Sequence, residues 1–377
     1  MHPLKGGLPF AGFDSHNGPG DASMPYDYHI GVDFHKSYSH IAVQDSSGKT
    51  LRSGRVRNDR QSVGSFLARY SDNAHAVVEA CRNWTVMYDW LDEICDDVVL
   101  AHPLKVKAIA EAKIKTDKID ATILSHLLRA DLVPAAHAPS HRSRELRSAL
   151  RERMFYVRLR TMVKNRIVTA FDRYPERTAP LQRCTDLFGA TGRQQLAALE
   201  VSELDRIQID RSLAFIADIN YRIKEAETTI KTLSKGNANV KRLKTIPGIG
   251  EFFARLIDAE IDDIGRFRSA KKLAAYAGIV PSTYASGGKT YHGRIIKQGN
   301  KWLRWAFIEA VTPAVASDPE LKEQYLRLKA KGSNRAKVAV ARRLLTIAFQ
   351  VLRDGRCYEQ HGAAPTRKVR SEQSRLS

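Results

Sequence analysis

Four carboxylates lie along the chain in the pattern that divalent-metal chemistry needs: Asp33, Glu79, Asp117 and Asp120. Asp33 belongs to the apolar run Tyr28-His-Ile-Gly-Val-Asp-Phe34, and Glu79 closes a second such run, His75-Ala-Val-Val-Glu79. Asp117 and Asp120 stand three residues apart in Lys115-Thr-Asp-Lys-Ile-Asp-Ala121, at the mouth of a helical stretch. An i, i+3 pair shares one helix face, so both carboxylates can point at one site. Mg²⁺ binds one or two carboxylates per ion and completes its octahedron with water and phosphate oxygens. The set points to phosphodiester chemistry.

A second group surrounds a hydroxyl. Ser286 precedes two glycines in Ser282-Thr-Tyr-Ala-Ser-Gly-Gly-Lys-Thr290, a segment expected to be a mobile loop, with Lys289, Arg294, Lys297 and Lys301 around it. A serine there could attack a phosphate while the cations stabilise the developing charge. Ser282, Thr283 and Thr290 are competing hydroxyls that spacing does not exclude, and Ser-Gly-Gly also serves as a plain turn.

The elements that must position these groups follow a clear order. Alternating and apolar runs predict strands at 29–34, 39–44 and 50–56, a helix at 60–70, a strand at 74–79, a helix at 84–94, a strand at 98–101 and a helix at 117–130. That β-β-β-α-β-α-β-α order is the order of a ribonuclease-H-like sheet. It places Asp33 at the centre of the first strand, Glu79 at the end of the fourth, and the aspartate pair on the last helix.

Beyond this α/β domain the pattern becomes helical. Residues 142–174 are basic, with Arg151 and Arg158 among ten cations, above an apolar stripe. Ile216, Ile219, Ile223, Ala226, Ile230 and Leu233 form a 3/4-spaced seam suited either to a coiled-coil partner or to an internal hairpin. Pro247-Gly-Ile-Gly250, ahead of a helix at 252–261, resembles a helix-hairpin-helix turn, in which Gly248 and Gly250 let backbone amides approach a phosphate. The expected division is a disordered tail at 1–26, the acidic domain at 27–137, a basic coiled-coil region at 138–236, a mostly helical last domain at 237–350 and a basic tail at 351–377.

Composition limits the partners. The 377 residues carry 61 Lys+Arg against 41 Asp+Glu, a net charge of +20, which argues for nucleic acid. No apolar run approaches the roughly 18 residues of a membrane-spanning helix, and residues 1–27 lack a signal-peptide pattern. The four cysteines show no CxxC spacing, so zinc is not indicated and a cytoplasmic setting is expected.

From Tyr28 to Phe349 the chain resembles the DEDD transposases of bacterial insertion sequences, the insertion-sequence one-ten family. The resemblance rests on Gly31-Val-Asp-Phe-His-Lys36, Val78-Glu-Ala80, Lys115-Thr-Asp-Lys-Ile-Asp-Ala121, Ile246-Pro-Gly-Ile-Gly250, Ala277-Gly-Ile-Val-Pro-Ser282 and Ser286-Gly-Gly-Lys289 with Gly293-Arg-Ile295. It implies a RuvC-like first domain in which Asp33, Glu79, Asp117 and Asp120 bind Mg²⁺, and a transposase domain with Ser286 as nucleophile. It further implies covalent phosphoserine chemistry, a structured bridge RNA as guide, a dimer-of-dimers tetramer in which another protomer supplies the carboxylates, and a bacterial, nucleoid-associated location. Two other functions compete on the residues alone. One is a metal-dependent junction-resolving nuclease that uses water; the other is a non-catalytic nucleic-acid-binding protein.

Overall fold

The computed structural model describes residues 26–110, 116–178, 181, 184–286, 289–296 and 298–359. The expected tails before residue 26 and after residue 359, with Lys115, Lys297 and the Gly287–Gly288 pair, lie outside the described residues. The chain divides into two units, at Ala138 and Pro139, and each is described by itself.

In the first unit the alternation of the opening strands becomes a mixed sheet. Its strands are β1 (Tyr28–Phe34), β2 (Tyr38–Asp45), β3 (Thr50–Arg57), β4 (Ala74–Glu79), β5 (Asp97–Ala101) and β6 (Ala135–Ala136). Their order is β3-β2-β1-β4-β5-β6. β1, β4 and β5 run parallel, and the β1–β2, β2–β3 and β5–β6 pairs are antiparallel. The helices are α1 (Arg60–Leu67), α2 (Trp84–Ile94), α3 (Pro103–Ile109) and α4 (Asp117–Arg129). This arrangement is compatible with the expected ribonuclease-H-like domain. The short α3 and β6 were not expected from the sequence.

The period of two along a strand decides which helix meets which residue. Ile30, Val32, Ala76 and Val78 face one way and pack with Val63 and Leu67 of α1 and Met87 and Leu91 of α2. Val77 and Ala101 face the other way and pack with Val106 of α3 and Leu124, Leu127 and Leu128 of α4. Gly31 shares this second face, and a Cβ built there would lie 2.1 Å from the Ala121 carbonyl oxygen. Only glycine lets α4 settle this closely on β1, two residues before Asp33.

The second unit is helical around one hairpin. It contains α5 (His141–Ala170), a 3₁₀ turn (Phe171–Arg173), α6 (Pro175–Thr178), α7 (Ala190–Ala198), α8 (Glu203–Leu233), α9 (Ala238–Leu243), α10 (Glu251–Ile261) and α11 (Ala270–Tyr276). The hairpin strands β7 (Pro281–Ser286) and β8 (Lys289–Ile295) follow, then α12 (Lys301–Ser317), α13 (Pro319–Lys329) and α14 (Ser333–Asp354). α5 and α8 pair antiparallel, as the Arg153–Glu227 and Arg160–Asn220 contacts require. The isoleucine seam of α8 is therefore used inside the chain, and it carries no argument for an oligomer. α14 runs to Asp354, so Val351 and Leu352 belong to the core with Phe307, Leu344 and Ile257.

Two glycine substitutions should separate close packing from helix propensity. Gly31→Ala is expected to lower the melting temperature sharply, because the clash is with backbone. Gly64→Ala, inside α1 with nothing within 4 Å of the new methyl, should stabilise by about 0.5–1 kcal/mol. Thermal unfolding of both variants checks the pair. Equal effects would contradict the packing account.

Candidate functional site

Parallel register brings the first two carboxylates to adjacent strand ends. Val32 pairs with Val78, so Asp33 of β1 and Glu79 of β4 follow side by side, and both lie on the face that α4 covers. Asp33 is the sixth of seven residues in β1, at the carboxyl end of the strand rather than at its centre. Above them α4 begins. Thr116 caps it, its hydroxyl accepting a hydrogen bond from the Ile119 amide, and Asp117 and Asp120 fill the first turn. A helix N-terminus carries about half a positive charge, which offsets part of the repulsion between these carboxylates.

Two further side chains join the site. His35 Nε2 lies 3.1 Å from Asp33 Oδ2 and 3.3 Å from Asp117 Oδ1, bridging the two carboxylates. The Tyr38 hydroxyl donates to Asp117 Oδ2 at 2.8 Å, and the Arg55 guanidinium covers the Tyr38 ring at 3.6 Å. Asp33, His35 and Asp117 offer ligand atoms that lie mutually within 4.8 Å. Glu79 and Asp120 stand outside that set of three, although the Asp120 charge reaches Asp33.

The electrostatics separate the two aspartates. Burial raises the Asp33 pKa, His35 opposes the rise, and the charges of Asp120 and Asp117 add to it. The Tyr38 hydrogen bond lowers that of Asp117. A half-buried carboxylate that resists ionisation beside an anionic one is a site short of positive charge. The donor set of two aspartates and one imidazole at this spacing fits a divalent ion. His35 and Tyr38 had no place in the expected tetrad. His35 follows Asp33 by two residues in extended chain, which was a readable signal; the Tyr38 contact comes from the β1–β2 turn and was not.

In the second unit, Ser286 is the last residue of β7 rather than part of a mobile loop. Backbone register sets it directly across from Lys289, the first residue of β8. Arg294 lies further along β8 and is exposed. The root of the hairpin is tightly built. A Cβ on Gly299 would meet the Gly278 amide nitrogen at 2.4 Å, and Asn300 donates from its backbone to the Tyr276 carbonyl and caps α12. The Asn300 side chain also donates to Glu260, a carboxylate only 1% exposed that binds Arg151 through its other oxygen.

The remaining expected contacts divide. Arg158 and Lys301 approach the Trp302 ring at 5.3 and 5.8 Å, and Arg151 also lies 5.8 Å from it. Gly248 has a positive φ of 80° and packs against the Ala310 carbonyl of α12, so glycine is required there by the turn itself. Gly250, the N-cap of α10, has open space where a Cβ would be.

Carboxylates thus stand at the ends of two parallel strands and in the first turn of the helix that covers them. Residues 30–175 match the DEDD transposase family of the IS110 type, and residues 240–326 match the transposase IS116/IS110/IS902 family. The transposase of insertion sequence element IS1111A from Coxiella burnetii is 25% identical over 86% of this chain and 89% of its own length. The transposase of IS1328 from Yersinia enterocolitica is 28% identical over 76% and 83%. The pilin gene-inverting protein of Moraxella bovis is 26% identical over 76% and 82%. These matches together support an IS110/IS116/IS902-family transposase, an enzyme of DNA recombination, and the DEDD domain with its acidic cluster suggests a divalent metal. No helix among the described residues is long and apolar enough to cross a membrane.

The raised Asp33 pKa has a defined sign. The folded, metal-free domain holds the Asp33 proton more tightly than the unfolded chain does. That contribution to stability is present at low pH and is lost as pH rises through the folded-state pKa. At neutral pH, Asp33→Asn should therefore leave the metal-free melting temperature unchanged or higher. Millimolar Mg²⁺ or Mn²⁺ should raise the melting temperature of the wild type and not that of the variant. An equal metal-induced shift in both would remove Asp33 from the site.

Proposed function

We propose that this transposase cuts and rejoins DNA through Ser286, with Asp33, Glu79, Asp117 and Asp120 holding Mg²⁺ at the reacting phosphate. The observation that carries the reading is the presence in one chain of two devices. One is the Asp33–His35–Asp117 cluster at the start of α4; the other is a hairpin strand that ends on Ser286 opposite Lys289.

In this reading Ser286 Oγ attacks phosphorus and loses its proton. The phosphodiester breaks on one side, and the departing oxygen takes up a proton as a free hydroxyl. The phosphoryl group is then held as a serine ester, which conserves the bond energy for rejoining. Lys289 and Arg294 offset the negative charge that gathers on the phosphoryl oxygens. The ion held by the carboxylates would act as Lewis acid and as a template for the strand. Asp33 and Asp117 accept it, Tyr38 keeps Asp117 ionised, and His35 orients both carboxylates.

A junction-resolving nuclease that uses water is the second reading, since two-metal hydrolysis needs no serine. The gene-inverting protein among the relatives favours the first, because inverting a gene requires that strands be joined again after cutting. Recognition of DNA by a structured bridge RNA, a dimer-of-dimers tetramer and the helix-hairpin-helix role of the Gly248–Gly250 turn complete the proposal. The basic composition and the open N-cap at Gly250 are in keeping with it.

The test is excision and insertion of a marked element in cells and with purified protein. Ser286→Ala and Asp33→Ala should each reduce recombination by about 10³-fold or more. Omitting RNA transcribed from the DNA flanking the gene should abolish reaction by the purified protein. Wild-type recombination by Ser286→Ala would overturn the serine assignment, and Mg²⁺-dependent nicking without joining would favour the nuclease.

A further inference from the structure

The cations of this protein are not equally available. On α5, which looks in sequence like the nucleic-acid face, many are already engaged within the chain. Arg147 and Arg151 bind Glu260, Arg153 binds Glu227, and Arg160 donates to Asn220. The hairpin of α13 and α14 is different. From Leu326 to Arg353 the sequence holds eight Lys+Arg and no Asp or Glu. Arg327, Lys329, Lys331, Arg335 and Arg342 are exposed and Lys337 is half-buried. None of these six side chains has an ion-pair or hydrogen-bond partner among the described residues.

These charges sit on a fixed scaffold, not on a tail. Ala336, Val340, Ala341 and Leu344 anchor α14 in the core. Asp318 caps α13 through the Leu321 amide, and the Tyr325 hydroxyl meets Ser333 Oγ at 3.1 Å across the turn. Arg335 and Arg342, seven residues apart on one helix face, stand about 10 Å from each other. Lys329 ends α13, and Lys331 lies in the turn before α14. Six uncompensated cations repel one another, and a polyanion that brings them together relieves that repulsion while releasing its own counterions.

We propose that the α13–α14 hairpin is a docking surface for the phosphate backbone of duplex DNA. The surface lies beyond residue 326, where the match to the IS116/IS110/IS902 family ends. It rests on the chain being a DNA transposase and is independent of which group attacks the phosphate. The contacts proposed are to phosphate, and such backbone contacts position a protein without carrying sequence information.

The experiment is binding of the full-length protein to a short fluorescent duplex across a salt series, followed by anisotropy. The variant Lys329→Gln/Lys331→Gln/Arg335→Gln should bind more weakly on duplexes of any sequence. Its slope of log affinity against log salt should be shallower by about 0.9 for each phosphate contact removed. Lys329→Arg/Lys331→Arg should match the wild type, and melting temperatures should be unaffected. If the triple variant folds poorly, Lys331→Gln and Arg342→Gln, each at an exposed position, read the slope one contact at a time. An unchanged slope would overturn the proposal, as would weakened binding to structured RNA with duplex binding intact. Failure of Ser286→Ala to block recombination would leave this result untouched, so the two proposals fail separately.

Discussion

Carboxylates repel, and the first unit is built around the need to hold several of them together. Parallel β1 and β4 deliver Asp33 and Glu79 to neighbouring strand ends, and α4 must bring two more from above. What permits this is the bare backbone of Gly31, against which the Ala121 turn of α4 rests. With any side chain there the helix would be lifted, and Asp117 would leave the reach of His35 and Tyr38. The helix N-terminus, the bridging imidazole and the tyrosine hydroxyl each offset part of the repulsion. Burial first, and the charges of Asp120 and Asp117 after it, keep Asp33 reluctant to ionise, in keeping with the divalent metal that the DEDD domain suggests.

The second unit answers an opposite problem with a single buried carboxylate. Glu260 takes two arginines of α5 on one side and Asn300 on the other. A buried charge of this kind adds little net stability, but removing one partner strands the others. Its consequence is geometric. The basic helix, the start of α12 and the root of the β7–β8 hairpin are fixed relative to one another, so the residues at the hairpin end have a rigid base. Arg151 thus holds the frame as well as facing Trp302.

Much of this was legible in the sequence, and for identifiable reasons. The strands around Asp33 and Glu79 are apolar runs whose period fixes both their type and their face, and the Thr116 cap marks the start of α4. The seven-residue α3 and the two-residue β6 are too short to show a period. The β7–β8 hairpin was read as a loop because Ser and Gly dominate its end, although Thr283, Tyr284, Thr290 and Tyr291 carry a strand signal. The availability of charge was not legible at all. α5 has the more conspicuous row of arginines, but whether a cation is free depends on acids such as Glu227 and Glu260, remote in sequence. The pairing of the α8 seam with α5 is hidden for the same reason.

The central claim is that the acidic cluster and Ser286 serve one covalent strand exchange. The measurement that tests it most directly is the mapping of the protein–DNA adduct. Wild-type protein is reacted with Mg²⁺ and the DNA of the element ends, digested with protease and nuclease, and the modified peptide is sequenced by mass spectrometry. The account predicts a nucleotide ester on Ser286 that requires Mg²⁺ for its formation. An adduct on Ser282, Thr283 or Thr290, or recombination that proceeds with no adduct on the protein, would contradict it.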